Sequence, residues 1–290
     1  MANQREAKRI VAVGIQGVGK SYQTIKMMLE AAKGFPGTPP RKGLIFDTTD
    51  EFGDFEFEGG RMQIKPISLN DIVLFTVHNI CEVRRVRPFF DNGDIMTTND
   101  KAEVLEQICK DFNNGILLVE DPNTYVSDNM PSAIIGRLVN TRHRSTDMIL
   151  HFQNLGRAGH PKIWGNTSLL RLHKTNDSAL RHKSKFEEKT ELIQIAEIIV
   201  NNRYYAGDER FFVWIDVVYS KIRGKFTLKE AEDAIFEYVS QNFNSVVRPY
   251  LLKRDRSTGA LLYKDDKEAL DIALKEKLNT YFKFPTKKLK

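Results

Sequence analysis

The sequence predicts an α/β fold, a mostly parallel β-sheet flanked by helices, and three observations carry that expectation. A short β-branched run at residues 10–13 passes directly into a glycine-rich loop and then into helical periodicity, with Ile25, Met27, Met28 and Leu29 at recurring positions. Residues 116–119 and 148–152 are continuous apolar runs of the kind buried on both faces of a parallel sheet. From about residue 8 to residue 175 such runs alternate with helical stretches, as right-handed crossovers require.

Taken in order, the first strand at 10–13 is followed by a helix over 21–33. The stretch GFPGTPPRKG at 34–43 is too rich in proline and glycine to prolong that helix, and it returns the chain to a second strand at 44–46, which ends in DTTDEFGDF. Residues 54–70 are polar and contain glycine, and are expected to form a loop or peripheral hairpin. Residues 72–77 and 81–86 read as further strands. A helix over 100–112 has Thr97 or Thr98 as its cap and places Ala102, Leu105, Ile108, Cys109 and Phe112 on one face. The strand at 116–119 stops at Glu120 and Asp121; a helix at 132–140 and strands at 148–152 and 169–172 follow. Ligands of such a sheet bind at the carboxyl ends of its strands, where Asp47, Glu120, Asp121 and Gln153 are expected to converge.

Beyond residue 180 the character changes to helices at 190–200, 228–239 and 264–278 around a strand at 211–218. The expected division is a core over residues 1–180 and a smaller mixed, helix-rich region over 181–290, a helical subdomain or lid with a basic tail.

A hydrophobic fraction of 41% with 28% charged residues excludes a wholly disordered chain. Cys81 and Cys109 stand apart with no CxxC pair, so free thiols in a reducing compartment are expected. His143, His151, His160, His173 and His182 are irregularly spaced and no cysteine accompanies them, so no zinc site is expected. MANQREAKRI lacks a signal-peptide apolar core, and no apolar run approaches the ~20 residues that span a bilayer. A cytoplasmic protein is expected, in the host cytoplasm or virion-associated if the gene is viral. The net charge of +6 is concentrated in the second half and suits a nucleic-acid partner as well as mere solubility.

GIQGVGKS, residues 14–21, satisfies G-x-x-x-x-G-K-[ST] between a strand and a helix, the context of a phosphate-binding P-loop. Gly14, Gln16, Gly17, Val18, Gly19, Lys20, Ser21 and Tyr22 are therefore the expected ATP-binding residues. Backbone N–H groups would cradle the β-phosphate, Lys20 would neutralise the β- and γ-phosphates, and Ser21 would ligate Mg²⁺. ILLVED, residues 116–121, supplies the carboxylates: metal coordination falls to Glu120 and activation of the attacking water to Asp121, or the reverse. Asp47 and Glu51 are candidates for the metal's water shell, Asp47 equally for a carboxylate satisfied by local N–H groups.

IFDTTDEFG at 45–53 and TRHRSTDMILHFQNLGRAGHPKIWGNTS at 141–168 resemble motifs of the HerA/FtsK superfamily of ATP-driven DNA pumps. With the P-loop and ILLVED they make four ordered motifs over about residues 8–175, and the resemblance does not extend to the C-terminal third. It implies a P-loop NTPase fold of RecA/ASCE type, with Gln153 as the sensor of the γ-phosphate and attacking water. It further implies that Arg142 or Arg144 enters a neighbouring subunit's site as an arginine finger, a solvated basic turn being the alternative; Arg157 is a further finger or DNA-contact candidate. The implied assembly is a homo-oligomeric ring, a pentamer or hexamer, with DNA in its pore. Among the superfamily's cell-division, conjugation and genome-packaging motors, the short chain looks most like a viral packaging ATPase, with a capsid portal or vertex protein as partner. A plasmid DNA pump, a zonula occludens toxin-like phage assembly ATPase and a small-molecule or nucleotide kinase are the alternatives.

Overall fold

The computed structural model describes residues 7–122 and 145–284. The helix expected at 132–140 and both Arg142 and Arg144 lie outside the described residues.

An eight-stranded sheet organises the chain, in the order β10-β9-β8-β1-β7-β6-β2-β5. The strands are β1 (Arg9–Val13), β2 (Lys42–Phe46), β5 (Val83–Val86), β6 (Gly115–Val119), β7 (Asp147–Phe152), β8 (Leu169–Leu172), β9 (Val213–Asp216) and β10 (Lys221–Gly224). From β8 to β5 every pairing is parallel, and β9 and β10 add an antiparallel edge. β2, β6 and β7 are buried at every residue, which explains their unbroken apolar runs.

Successive side chains of a strand point to opposite faces, and two cores follow from this. Ile10, Ile45, Leu118 and Ile149 pack with Ile25 and Met28 of α1 (Lys20–Lys33) on one face. Val11, Val13, Leu117, Val119 and Leu150 pack on the other with α3 (Thr98–Asp111) and the helix Thr190–Tyr205. The fold is thus a P-loop NTPase sheet between helical layers, with a helix-rich C-terminal region. Thr97 caps α3 with a reciprocal box: its hydroxyl accepts from Asp100 N at 3.3 Å and Asp100 accepts from Thr97 N at 2.8 Å.

Residues 72–77 differ from expectation. They form α2 (Ile72–Val77), not a strand, and bury Ile72 and Phe75, one helical turn apart, with Phe75 stacked on Phe112 at 6.2 Å. β-propensity spans only about 1 kcal/mol, whereas burial of two large side chains contributes roughly 1.5–3 kcal/mol each, so packing overrides the β-branched composition. The 54–70 segment contains the hairpin of β3 (Phe55–Phe57) and β4 (Gly60–Met62).

The C-terminal region shares the main sheet. β9 pairs with β8 from Leu169↔Asp216 to Leu172↔Val213, and one hydrophobic cluster holds Leu170 and Leu172 together with Ile195, Ile215 and Ile235. The expected boundary at residue 180 therefore falls within a continuous core. No helix among the described residues is long and apolar enough to cross a membrane.

Candidate nucleotide site

The crossovers place the carboxyl ends of β1, β6, β7 and β8 on one edge of the sheet, and β1 is where the connections switch direction. β6, which ends at the acidic pair, is not hydrogen-bonded to β1; β7 lies between them.

Gly17 and Gly19 have φ of 86° and 83°, which β-carbon-bearing residues rarely adopt, and Gly19 is the N-cap of α1. Gly14 is required for a different reason: a Cβ there would stand 2.7 Å from His173 Cβ. Val18 is buried, while Gln16 and Gly17 are exposed at the loop's tip. The first turn of α1 carries no acidic residue, so its N–H groups and positive end are open to an anion. Lys20 Nζ donates to the carbonyls of Gly14 at 2.6 Å and Ile15 at 2.8 Å, folded back over its own loop.

Four residues connect α1 to the acidic pair. The Ser21 hydroxyl donates to Glu120 Oε1 at 3.0 Å, and His151 Nδ1 lies 2.9 Å from the same oxygen. His151 Nε2 is 2.8 Å from Thr24 Oγ1, which accepts a hydrogen bond from the buried Arg171 guanidinium. Arginine only donates. A carboxylate only accepts, so Nδ1–H donates to Glu120. Arg171 also donates to Lys20 O at 2.8 Å, tying β8 to the same turn. Burial pushes the Arg171 guanidinium down to about 9, opposed by Glu120, so it remains a cation at neutral pH.

Burial alone would raise the Glu120 pKa. The neighbouring His151, the Ser21 hydroxyl and the Lys20 ammonium outweigh it and hold the carboxyl below its ordinary value. Burial lowers the Lys20 ammonium, with Glu120 and Asp121 opposing; burial raises Glu51, helped by the charges of Glu120, Asp47 and Asp121. Glu120, Asp121 and Glu51 thus all favour the charged form of Lys20.

Asp121 has φ of 38°, uncommon for a residue with a β-carbon, and its Oδ2 accepts from Gln153 Nε2 at 2.9 Å. The strand-end amide and the second carboxylate therefore stand side by side. Asp47 is elsewhere engaged: fully buried, it accepts from Glu51 N and Phe52 N at 3.0 and 3.1 Å and pairs with Arg85 at 2.7 Å. Of its two expected roles the local one holds, because both its oxygens close the 47–52 turn. Arg157 is exposed on the short helix Leu155–Ala158, whose start is capped by Asn154.

The residues suit Mg²⁺. The Ser21 and Glu120 oxygens are 3.0 Å apart, and adjacent ligands of an octahedral ion with bonds of about 2.1 Å lie roughly 3 Å apart. Two protein oxygens leave the remaining positions to phosphate and water, the usual division for this cation. Among the described residues, no group of three or more His, Cys, Asp or Glu could hold a metal on its own.

His151, Thr24, Arg171 and Glu51 complete a cluster of which sequence reasoning saw little. His151 and Arg171 lie inside apolar strands, and the signal that could have found them is a charged or titratable residue in an otherwise apolar run.

No protein-family model matches the chain, and no curated protein does. Solved structures similar to it include the genome packaging NTPase B204 of Sulfolobus turreted icosahedral virus 2 in complex with AMP, at 18% identity over 77% of this chain and 98% of that one, with a TM-score of 0.49. B204, the DNA-packaging ATPase of Sulfolobus Turreted Icosahedral Virus, is similar at 18% identity over 74% and 95%, TM-score 0.46. The N-terminal domain of zonular occludens toxin from Neisseria meningitidis is similar at 13% identity over 59% and 79%, TM-score 0.34. With TM-scores below 0.5, these likenesses add nothing to what the chain's own topology and site geometry establish.

Proposed function

We propose that the chain is a Mg²⁺-dependent ATPase that couples hydrolysis to movement of DNA, with packaging of a viral genome as its setting in the host cytoplasm. The observation that carries the hydrolase reading is the 3.0 Å contact between Ser21 and Glu120, which brings the turn after the P-loop lysine against the acidic strand end.

In this reading the amides of residues 17–22 bind the phosphates, and Lys20 leaves the Gly14 and Ile15 carbonyls to pair with the β- and γ-phosphates. Ser21 and Glu120 would hold Mg²⁺, which would neutralise charge that develops on the phosphoryl oxygens. Asp121, free of that duty, accepts the proton of the attacking water, and Gln153 orients that water by its amide. His151 and Thr24 keep Glu120 aimed at Ser21. Arg142 or Arg144 of a neighbouring copy supplies the finger, which puts ATP between subunits of a ring of five or six. The four ordered motifs support DNA in the pore, and the net charge of +6 is compatible with it. A capsid portal or vertex protein is the partner that a packaging motor requires.

Phosphate release from ATP, measured with and without duplex DNA, tests the proposal. Lys20→Ala is expected to abolish turnover, and DNA to raise the wild-type rate. Turnover in the Lys20→Ala protein at the wild-type level would sink the hydrolase reading, and a rate indifferent to DNA would sink the motor.

A further inference from the structure

The segment between the helix Thr190–Tyr205 and β9 belongs to the C-terminal region, to which no sequence motif assigns a role. It nevertheless delivers one side chain to the P-loop. The stem of Arg210 lies along Gly19: a Cβ on that glycine would be 3.6 Å from Arg210 Cγ and 3.7 Å from Cβ and Cδ. Its guanidinium sits over the Tyr22 ring, 5.8 Å from the centroid. A cleft of about 360 Å³ opens here, in which Arg210 is the cation alongside Glu51, Glu56 and Glu58. Among the described residues no carboxylate pairs with this exposed guanidinium.

Sheet order decides which part of a nucleotide would meet it. Glu120, Asp121 and Gln153 stand at the ends of β6 and β7, on one side of β1, whereas Arg210 leads into β9, on the other side beyond β8. A polyphosphate that crosses the P-loop with its γ end toward the carboxylates has its α end toward Arg210.

We propose that Arg210 binds the α-phosphate of the nucleotide in cis, using Tyr22 as the platform that holds the guanidinium beside Gly19. This rests on the nucleotide-site reading above and gives the C-terminal region a part in it. A guanidinium is suited to the task, since it remains charged and offers a planar fork of donors to phosphate oxygens. It also gives the sheet extension by β9 and β10 a consequence, because that pairing fixes the segment that carries Arg210.

Calorimetric titration of the full chain with AMP, ADP and adenosine, comparing wild type, Arg210→Ala, Arg210→Lys and Lys20→Ala, tests it. A hydrogen bond to a charged group contributes about 1.5–3 kcal/mol, so Arg210→Ala should weaken AMP and ADP by the same factor, about 10-fold or more, and leave adenosine unchanged. Arg210→Lys should recover part of the loss, and Lys20→Ala should weaken ADP more than AMP. Unchanged AMP and ADP affinities in Arg210→Ala, beside a loss of ADP in Lys20→Ala, would overturn the inference and leave the nucleotide site standing. Loss of ADP affinity with AMP unaffected would overturn it too, by placing Arg210 on the β-phosphate. A wild-type chain that binds no ADP would defeat the site reading and this inference with it.

Discussion

Ser21 and Glu120 are 99 positions apart in sequence, and the hydroxyl of one donates to the carboxylate of the other across 3.0 Å. The contact needs the first turn of α1 and the end of β6 to face each other across β7, so it reports the whole arrangement of the sheet. Its partners divide the acidic pair, with Glu120 turned to Ser21 and His151, and Asp121 to Gln153.

Glu120→Gln keeps an oxygen for His151 and Ser21 but removes the charge a cation needs. ATP turnover should fall about 100-fold or more, the scale of losing one group that stabilises transition-state charge, while the variant still binds nucleotide. Steady-state phosphate release with a parallel binding titration checks this, and near-normal kcat would refute the metal role.

His151→Leu preserves bulk but strips the buried Glu120 and Thr24 of a shared partner. Leaving buried polar groups unsatisfied costs roughly 1–3 kcal/mol, so the urea midpoint should fall accordingly. Turnover should fall more than apparent nucleotide affinity, because His151 positions a ligand and does not touch the phosphates. A variant of wild-type kcat would show that Glu120 needs no such support.

Glu197 gives a pH dependence of stability whose causes include none of the proposed catalytic residues. Burial pushes its carboxyl up to about 7 from an ordinary 4.5, although Ala179 N donates to both oxygens at 3.1 and 3.2 Å. The folded pKa is the raised one. The stability this residue contributes is therefore complete below about pH 4.5 and is lost as pH climbs through about 7. The loss amounts to roughly 3 kcal/mol at about 1.4 kcal/mol per pH unit. Denaturation of wild type and Glu197→Gln at pH 5 and pH 8 should show the variant gaining relative to wild type at the higher pH. Equal differences at both pH values would refute the shift.

Arg142→Ala should retain nucleotide binding and lose turnover. Mixed with Lys20→Ala subunits it should regain some, because sites with an intact Lys20 then meet a neighbour with an intact Arg142. Absence of recovery in the mixture would count against Arg142 as a finger acting between subunits.

Local structure written in consecutive residues was legible beforehand. GIQGVGKS needs only its own turn and the helix after it, and ILLVED needs only a strand to carry its carboxylates to an edge. The Thr97 cap was likewise readable, since a capping box spans four residues. Residues 72–77 were misread because their β-branched composition is local, whereas the burial of Ile72 and Phe75 against α3 and Phe112 is not.

The sequence by itself determined that a glycine-rich strand-to-helix turn and a carboxylate-tipped strand exist, because each is set by neighbours within a few bonds along the chain. Tertiary structure alone decided that β7 separates their strands, that His151 and Arg171 join them from within apolar runs, and that β9 brings Arg210 back to Gly19. Those relations arise from strand order and burial, which depend on the free energy of the packed sheet as a whole and leave no periodic trace in any one segment.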